Sequence, residues 1–323
     1  MEITGTEFYS YNPHTNNNIN FRGHIGCDVI NRFGKSQRLT TETAFFREYD
    51  TLKFAVNYIN EVFKNIKEKR FLVGACSSGE EVWSLKMLMG NTPVKITGFD
   101  LSPKQIKNAQ KAVYELSRPE SVGGHEFMEK YSPSGFKDYF LGVEPDKLTD
   151  SEKAQKQMFD RMFENITDKP NNIILGLNER IRKVFDISYM ELKKLHYKLR
   201  DMKQQDCKFI TGNIEDLNKI NGCNKNQLFS FRNALYHITT ESDSIGRYPY
   251  DPEEIKPKLD KIFKQVNHTL MKKGLFILGE KEHNQGGDMN IVCASLLDNG
   301  FVPIRTKDNL PYYNVWAKYK DVN

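Results

Sequence analysis

The sequence predicts an α/β fold: a seven-stranded, mostly parallel, doubly wound sheet with one antiparallel strand and a large helical insertion. Three observations carry that prediction. Short apolar runs alternate with helix-period segments along two stretches of the chain. The run Phe71-Leu72-Val73-Gly74-Ala75-Cys76-Ser77-Ser78-Gly79-Glu80-Glu81-Val82-Trp83-Ser84 passes from a strand, through small residues, into an amphipathic helix. The chain closes with strands Phe301–Arg305 and Tyr312–Tyr319 joined by a turn at Asp308-Asn309, and so short a link makes that pair antiparallel.

The elements follow in order. Residues 1–38 are polar and rich in Asn and Gly, and are expected to form an extended or loosely ordered lead-in. Leu52, Val56, Ile59, Val62, Phe63 and Ile66 recur at helix spacing, with Asp50 as N-cap. Strand Phe71–Ala75 comes next, then a helix from near Glu80, then strand Val94–Phe99, which ends at Asp100. Ser102-Pro103 opens another helix, with Ser at the N-cap and Pro at the first helical position. Ile106, Ala109 and Val113 share one face of it. From about Ser117 to Asp206 the alternation stops. Residues 117–206 read as mostly helical, Ile187–Leu199 for example, with breaks at Pro119, Gly123-Gly124, Pro133, Pro145 and Pro170. They are expected to form an inserted lid or substrate subdomain, because a structureless loop of that length is improbable. The core is then 39–116 and 207–323. Its second part predicts strands Lys208–Thr211 and Gln227–Phe231, and a helix after Pro257 burying Leu259, Ile262, Phe263, Val266 and Leu270. Strand Leu275–Gly279 follows, then a helix from near Asp288 to Asn299-Gly300. In the last strand Tyr313, Val315, Ala317 and Tyr319 alternate with Tyr312, Asn314 and Trp316.

Composition narrows the function. The 323 residues suffice for one large α/β domain with an insertion, or for two domains. Net charge is +5 and 28% of residues are charged, with both signs interspersed and no basic block, which argues against nucleic acid as a partner. The cysteines Cys27, Cys76, Cys207, Cys223 and Cys293 form no CxxC pair, so reduced thiols are expected, with neither a disulfide framework nor a metal site. No apolar run is long enough to insert in a membrane and no signal-peptide pattern opens the chain, so a cytoplasmic protein is expected.

In doubly wound sheets ligands bind at the carboxyl ends of the strands. Here those ends carry Ala75–Glu80, Asp100, Gly212-Asn213 and Arg232-Asn233. The small residues of the first turn let a ligand approach the backbone. Glu80 and Glu81 in the first turn of a helix would repel a phosphate and suit a cationic or hydroxyl-bearing ligand. Asp100 lies about twenty-five residues beyond Gly74, where an acidic residue commonly accepts hydrogen bonds from two ribose hydroxyls. An Asp that merely opens the turn before Ser102 would read the same. Nicotinamide dinucleotide enzymes share this logic but carry a denser glycine fingerprint. The antiparallel final pair favours S-adenosylmethionine-dependent methyltransferases.

Five segments stand in order along the chain: Leu39-Thr40-Thr41-Glu42-Thr43-Ala44-Phe45-Phe46-Arg47-Glu48, Ala75-Cys76-Ser77-Ser78-Gly79-Glu80-Glu81, Gly98-Phe99-Asp100-Leu101-Ser102, Phe231-Arg232-Asn233-Ala234-Leu235 and Gly279-Glu280-Lys281-Glu282. Together they resemble the motifs of the CheR-type methyltransferases, which methylate chemotaxis receptors, over about 39–114 and from Lys208 to the C-terminus. The resemblance implies a class I Rossmann-like core that binds S-adenosylmethionine and releases S-adenosylhomocysteine. It implies that Thr43 and Arg47, in the segment that also holds Thr41, contact the methionine end, with Arg47 bidentate to its carboxylate. Glu80 would hold the methionine amino group or line its pocket, beside Ala75. Asp100 would take the ribose, with Leu101 next to it. Asn213 would lie near the adenine, and Asn233 and Ala234 near the sulfonium. Read without the resemblance, Arg47 suits a surface salt bridge, Glu80 a helix start, and the two asparagines ordinary turns. The family's Asn is Thr41 here, its Pro-Tyr is Val82-Trp83, and its tyrosine after the fourth strand aligns with His237, beside Tyr236. His237 and Tyr236 are therefore the candidate catalytic residues, although His237 equally suits a packed or solvated helix position.

The expected function is methyl transfer from S-adenosylmethionine to a protein side chain or a small-molecule acceptor. The alternative is a non-catalytic binding or regulatory protein of the same fold. The Asn-Pro-Pro-aromatic motif of nucleic-acid amino methylation is absent from the fourth strand. The region that holds the small receptor-docking β-subdomain in the family is read here as the helical insertion, so the core implies cofactor and reaction type without implying chemoreceptor glutamates.

Overall fold

The computed structural model describes residues 26–30, 36–40, 43–117, 148–166, 194–200, 206–222, 225–242, 247–249, 251–279, 289–305 and 311–322. In chain order the elements are β1 (Gly26–Ile30), β2 (Ser36–Thr40), α1 (Tyr49–Val62), β3 (Lys69–Gly74), α2 (Glu80–Met89), β4 (Val94–Asp100), α3 (Pro103–Lys111) and β5 (Val113–Ser117). Then come α4 (Asp150–Met162), β6 (Phe163–Asn165), β7 (Lys194–Leu199), β8 (Cys207–Thr211), α5 (Leu217–Asn221), β9 (Asn226–Ser230), α6 (Tyr236–Thr239), β10 (Thr240–Ser242) and β11 (Arg247–Pro249). The chain ends with α7 (Pro252–Thr269), β12 (Leu270–Ile277), α8 (Met289–Asp298), β13 (Phe301–Arg305) and β14 (Pro311–Lys318).

The main sheet has seven strands in the order β13-β14-β12-β9-β3-β4-β8. Pairings from β12 through β8 are parallel, and β14 runs antiparallel to both β12 and β13. This is the doubly wound sheet with one reversed strand that the sequence predicts. Strand order turns back between β3 and β9, and such a switch opens a crevice at the carboxyl ends of the strands.

Strand periodicity divides the core between the two faces of the sheet. Phe71 and Val73 of β3 pack with Leu52, Val56 and Ile59 of α1 and with Trp83 of α2. Leu72 points the other way, into a cluster with Leu259, Ile262 and Phe263 of α7 and Leu296 of α8. The last strand obeys the same rule: Val315 and Ala317 join the first cluster and Trp316 the second. Among the described residues no helix is long and apolar enough to cross a membrane.

Several expectations are corrected. Lys194–Leu199, read as the end of a helix, is the central strand of a small antiparallel sheet ordered β5-β7-β6. The spacing of Leu192, Leu195 and Leu199 imitates a helix, but Leu195, Tyr197 and Leu199 also alternate with Lys194, His196 and Lys198. Pairing with β5 and β6 decides for the shorter period, and Tyr197 and Leu199 are buried. The described part of the insertion is thus mixed, with α4 its helix. Residues 187–193 lie outside the described residues. The polar lead-in includes the paired strands β1 and β2, where the Val29-Ile30 end of Gly26–Ile30 favours extended backbone. Helix α1 starts at Tyr49 with a left-handed Glu48 as its N-cap, two residues ahead of the expected cap at Asp50. Helix α7 starts at Pro252, not after Pro257: Asp251 accepts the Glu253 amide at 2.8 Å, Pro252 is at the start, and Pro257 is accommodated inside.

Gly74 ends β3 where two rings close over the strand. A Cβ there would meet Phe99 Cζ at 2.6 Å and Phe231 Cδ2 at 2.7 Å. Both rings are buried, so neither can swing aside freely. Gly74→Ala should therefore cost about 1–3 kcal/mol, read as a lower urea midpoint with an unchanged m-value.

Candidate active site

The turn from β3 into α2 is wound in an unusual backbone. Ala75, Ser77 and Gly79 have φ of 50°, 47° and 95°. Left-handed conformations at non-glycine residues carry strain of about 1–3 kcal/mol each and persist only where the surroundings impose them. The surroundings are explicit here. The Cys76 amide donates to the Phe99 carbonyl at 3.0 Å and the Gly79 amide to the Cys76 carbonyl at 2.8 Å. The Ser77 amide donates to Asp100 Oδ2 at 2.8 Å, and the Ser102 amide to Asp100 Oδ1 at 2.8 Å.

Asp100 therefore holds two loops at once. Burial raises its pKa, and the two amide bonds oppose that rise. Each carboxylate oxygen has room for a second hydrogen bond, so both remain able to accept from a ligand hydroxyl. Leu101, the next residue, is 44% exposed, an apolar surface beside that carboxylate.

Glu80 is the first residue of α2. Ser78 Oγ lies 2.9 Å from both of its carboxylate oxygens, and Thr43 is a further side-chain partner. Burial nevertheless pushes its pKa up to about 7. The residue is half-buried by surface area, yet its carboxyl is enclosed by protein. Such a group is stabilised by an incoming cation. Tyr114 closes this side, its hydroxyl donating to the Ser78 carbonyl at 2.8 Å.

The segment Thr43–Glu48 lies against the start of α2. Phe45 anchors it among Tyr114, Phe159 and Phe163, with ring centroids 4.9, 5.0 and 5.3 Å away. The Phe46 amide donates to Ser84 Oγ at 2.8 Å, and that hydroxyl donates to the Glu80 carbonyl at 2.7 Å. Arg47 is buried, and its carbonyl accepts from Arg232 at 2.7 Å.

The structure thus brings Thr43, Arg47, Ala75, Glu80 and Asp100 to one edge of the sheet. Asn233 and Ala234 follow β9 at the same edge. Asn233 is left-handed, and its Nδ2 donates to Glu48 Oε1 at 3.0 Å. A side chain at Gly279 would collide with it. Ala234 is buried among apolar neighbours. The Gly212 amide meets the Asp100 carbonyl at 2.9 Å, which sets Asn213 nearby. The Asn213 side chain accepts the Glu215 amide at 3.0 Å, which makes it a cap for the following turn. Tyr236 is buried and its ring centroid lies 4.1 Å from that of His237. Thr41 lies outside the described residues. Sequence reasoning missed Glu48, Glu81 and Arg232 as partners. Arg232 Nε and Nη2 hold Glu81 Oε2 at 2.9 and 2.8 Å, and Nη1 lies 3.3 Å from Glu48 Oε2. No local signal marks them: Arg232 stands between Phe231 and Asn233 just past a strand end.

Comparison with known proteins points to a methyltransferase family. Residues 41–139 match the family described as CheR methyltransferase, SAM binding domain. A chemotaxis protein methyltransferase from Campylobacter jejuni subsp. jejuni serotype O:23/36 (strain 81-176) is 33% identical over 106 residues, which is 31% of this chain and 39% of that protein. Similar solved structures include the rRNA methyltransferase aviRa of Streptomyces viridochromogenes, at 11% identity and a TM-score of 0.34, covering 74% of this chain and 75% of that one. Another is the CurJ carbon methyltransferase, at 8% identity and a TM-score of 0.38, covering 83% and 54%. At those scores the structural likeness carries no argument, and the fold rests on its own strand order. Over residues 41–139 the chain is similar to the SAM binding domain of CheR methyltransferases, and it spans well under half the length of the curated relative it matches.

Proposed function

We propose that the chain transfers a methyl group from S-adenosylmethionine to a protein side chain or a small-molecule acceptor. One observation carries this reading: Glu80, an enclosed carboxylate suited to a cation, and Asp100, a carboxylate with acceptor capacity left on both oxygens, flank one strained turn. An ammonium and a ribose diol would satisfy the two in turn, with the adenine against Leu101. S-adenosylmethionine, when bound, supplies an electrophilic methyl group on sulfur. The chain's own contribution is to orient and to exclude water. Thr43 and Ser78 hold the Glu80 carboxylate. The amides of Ser77 and Ser102 fix Asp100. Phe45, Phe46 and Trp83 seal the floor. Positioning of this kind accounts for much of the rate in transfers without a covalent enzyme intermediate. A carboxylate acceptor needs no base; an amine or hydroxyl acceptor does. Tyr236 and His237 are the titratable pair at the β9 edge for that role.

S-adenosylhomocysteine should bind at micromolar concentration, about −8 kcal/mol. Asp100→Ala should weaken it more than about tenfold, beyond the 1.4 kcal/mol that a tenfold change represents. Calorimetry that finds wild-type affinity in the variant removes the ribose assignment.

The raised pKa of Glu80 sets a pH dependence. Between its ordinary value of 4.5 and about 7, the native protein keeps a proton that the unfolded chain has released. Stability from this group is therefore fully present below pH 4.5 and declines as pH rises through that window, by at most about 3 kcal/mol and less for a partly exposed residue. Glu80→Gln should remove that slope from urea titrations taken across the window. In the wild type, affinity for S-adenosylhomocysteine should rise with pH up to about 7 and then level off, because the ammonium requires the ionised carboxylate.

His237→Phe should abolish methylation of an amine or hydroxyl acceptor while S-adenosylhomocysteine still binds. Turnover at the wild-type rate would return His237 to a packing role.

A further inference from the structure

Arg232 stands two residues beyond the end of β9, and its side chain is 1% exposed. Its guanidinium is divided among three acceptors that are distant in sequence. Nε and Nη2 hold the Glu81 carboxylate, 151 residues away. Nη1 donates to the Arg47 carbonyl, 185 residues away, and faces Glu48 Oε2. Asn233 takes the other Glu48 oxygen. Burial works against the charge on Arg232, but Glu81 and then Glu48 outweigh it and hold the group ionised. The backbone it grips is strained: Phe46 and Glu48, on either side of Arg47, have φ of 53° and 52°. Such residues relax unless neighbours restrain them. On this stretch the restraints include the Arg232 fork, the Asn233 amide and the Ser84 hydroxyl.

We infer that Arg232 is a positioning residue for the methionine end of the cofactor: by clamping the Arg47 carbonyl and the Glu48 carboxylate against Glu81, it fixes the backbone from which Thr43 and Arg47 act. The inference rests on the cofactor reading above. A lysine cannot replace it, because a single ammonium lacks the planar fork that reaches three acceptors at once. Outright removal would leave Glu48 and Glu81 buried without a counter-charge, which is strongly destabilising. The informative variant is therefore one that keeps the charge.

The test is calorimetry with two ligands, S-adenosylhomocysteine and 5′-methylthioadenosine, which lacks the amino-acid end. Arg232→Lys should weaken S-adenosylhomocysteine about tenfold or more and leave methylthioadenosine within about twofold. It should add no further loss in an Arg47→Ala background, because residues that act through one another are not additive. Equal losses on both ligands, additive losses in the double variant, or an unchanged S-adenosylhomocysteine affinity would each overturn the inference. If Arg232→Lys fails to fold, Glu48→Gln takes its place with the same expected pattern. Amide exchange at Phe46 in the unliganded protein tests the clamp itself. It should quicken in the variant, and an unchanged rate overturns the clamp. A wild-type protein that binds neither ligand refutes the cofactor reading, whereas one that binds both while Arg232→Lys has no effect refutes only the positioning role.

Discussion

Asp100 ties together the two loops that leave β3 and β4, and the carboxyl edge of the sheet depends on that tie. Ser77 sits in a left-handed turn, and its amide needs an acceptor that no helix or strand supplies. A buried amide left without one costs about 1–3 kcal/mol. The carboxylate provides the acceptor and, through its other oxygen, holds the start of the loop into α3. The same two bonds keep both oxygens aligned at the crevice where strand order reverses. One side chain thus fixes the loop geometry and supplies the acceptors a ligand would meet.

The electrostatics follow from the company Asp100 keeps. Cys76 is fully enclosed, and its thiol is pushed up first by burial and then by Asp100, Glu80 and Glu81. Three carboxylates are therefore close enough to act on one sulfur, and Glu48 adds a fourth nearby, bridged by Arg232. Arg232 and Arg47 offset only part of that charge. A helix N-terminus ordinarily favours anions. At α2 the local carboxylates reverse that preference, and the turn suits a cation and hydroxyls where a related turn would cradle phosphate.

Much of this was readable in the chain itself. Strand alternation at Phe71-Leu72-Val73 and at Val315-Trp316-Ala317 assigns each residue to the face it occupies, because the period depends only on local geometry. Ser102-Pro103 marks a helix start, and the Ser102 side chain accepts the Gln105 amide at 3.4 Å. Lys194–Leu199 was misread because a six-residue run satisfies two periods, and strands more than thirty residues apart choose between them. The Glu48–Arg232–Glu81 cluster was not legible for a related reason. Nothing within a local window announces that Glu48 and Glu81 will be buried against Arg232. A buried ion pair is a property of the folded arrangement and leaves no periodicity behind.

Strain is concentrated in the same place as that cluster. Of the described non-glycine residues with positive φ, Phe46, Glu48, Ala75, Ser77 and Asn233 stand at this edge, and only Ala112 and Lys273 lie elsewhere. Five such residues at about 1–3 kcal/mol each would not survive in a loose loop. They are held in part because Phe45, Phe46 and Trp83 are almost fully buried, and burying an aromatic of that size returns about 1.5–3 kcal/mol. The aromatic floor and the ionic clamp therefore serve one end. They keep a strained backbone in a single shape before any ligand arrives, so that ordering need not be met from binding energy. For a reaction that depends on alignment more than on proton transfer, a preset edge of this kind is the main thing a fold can supply.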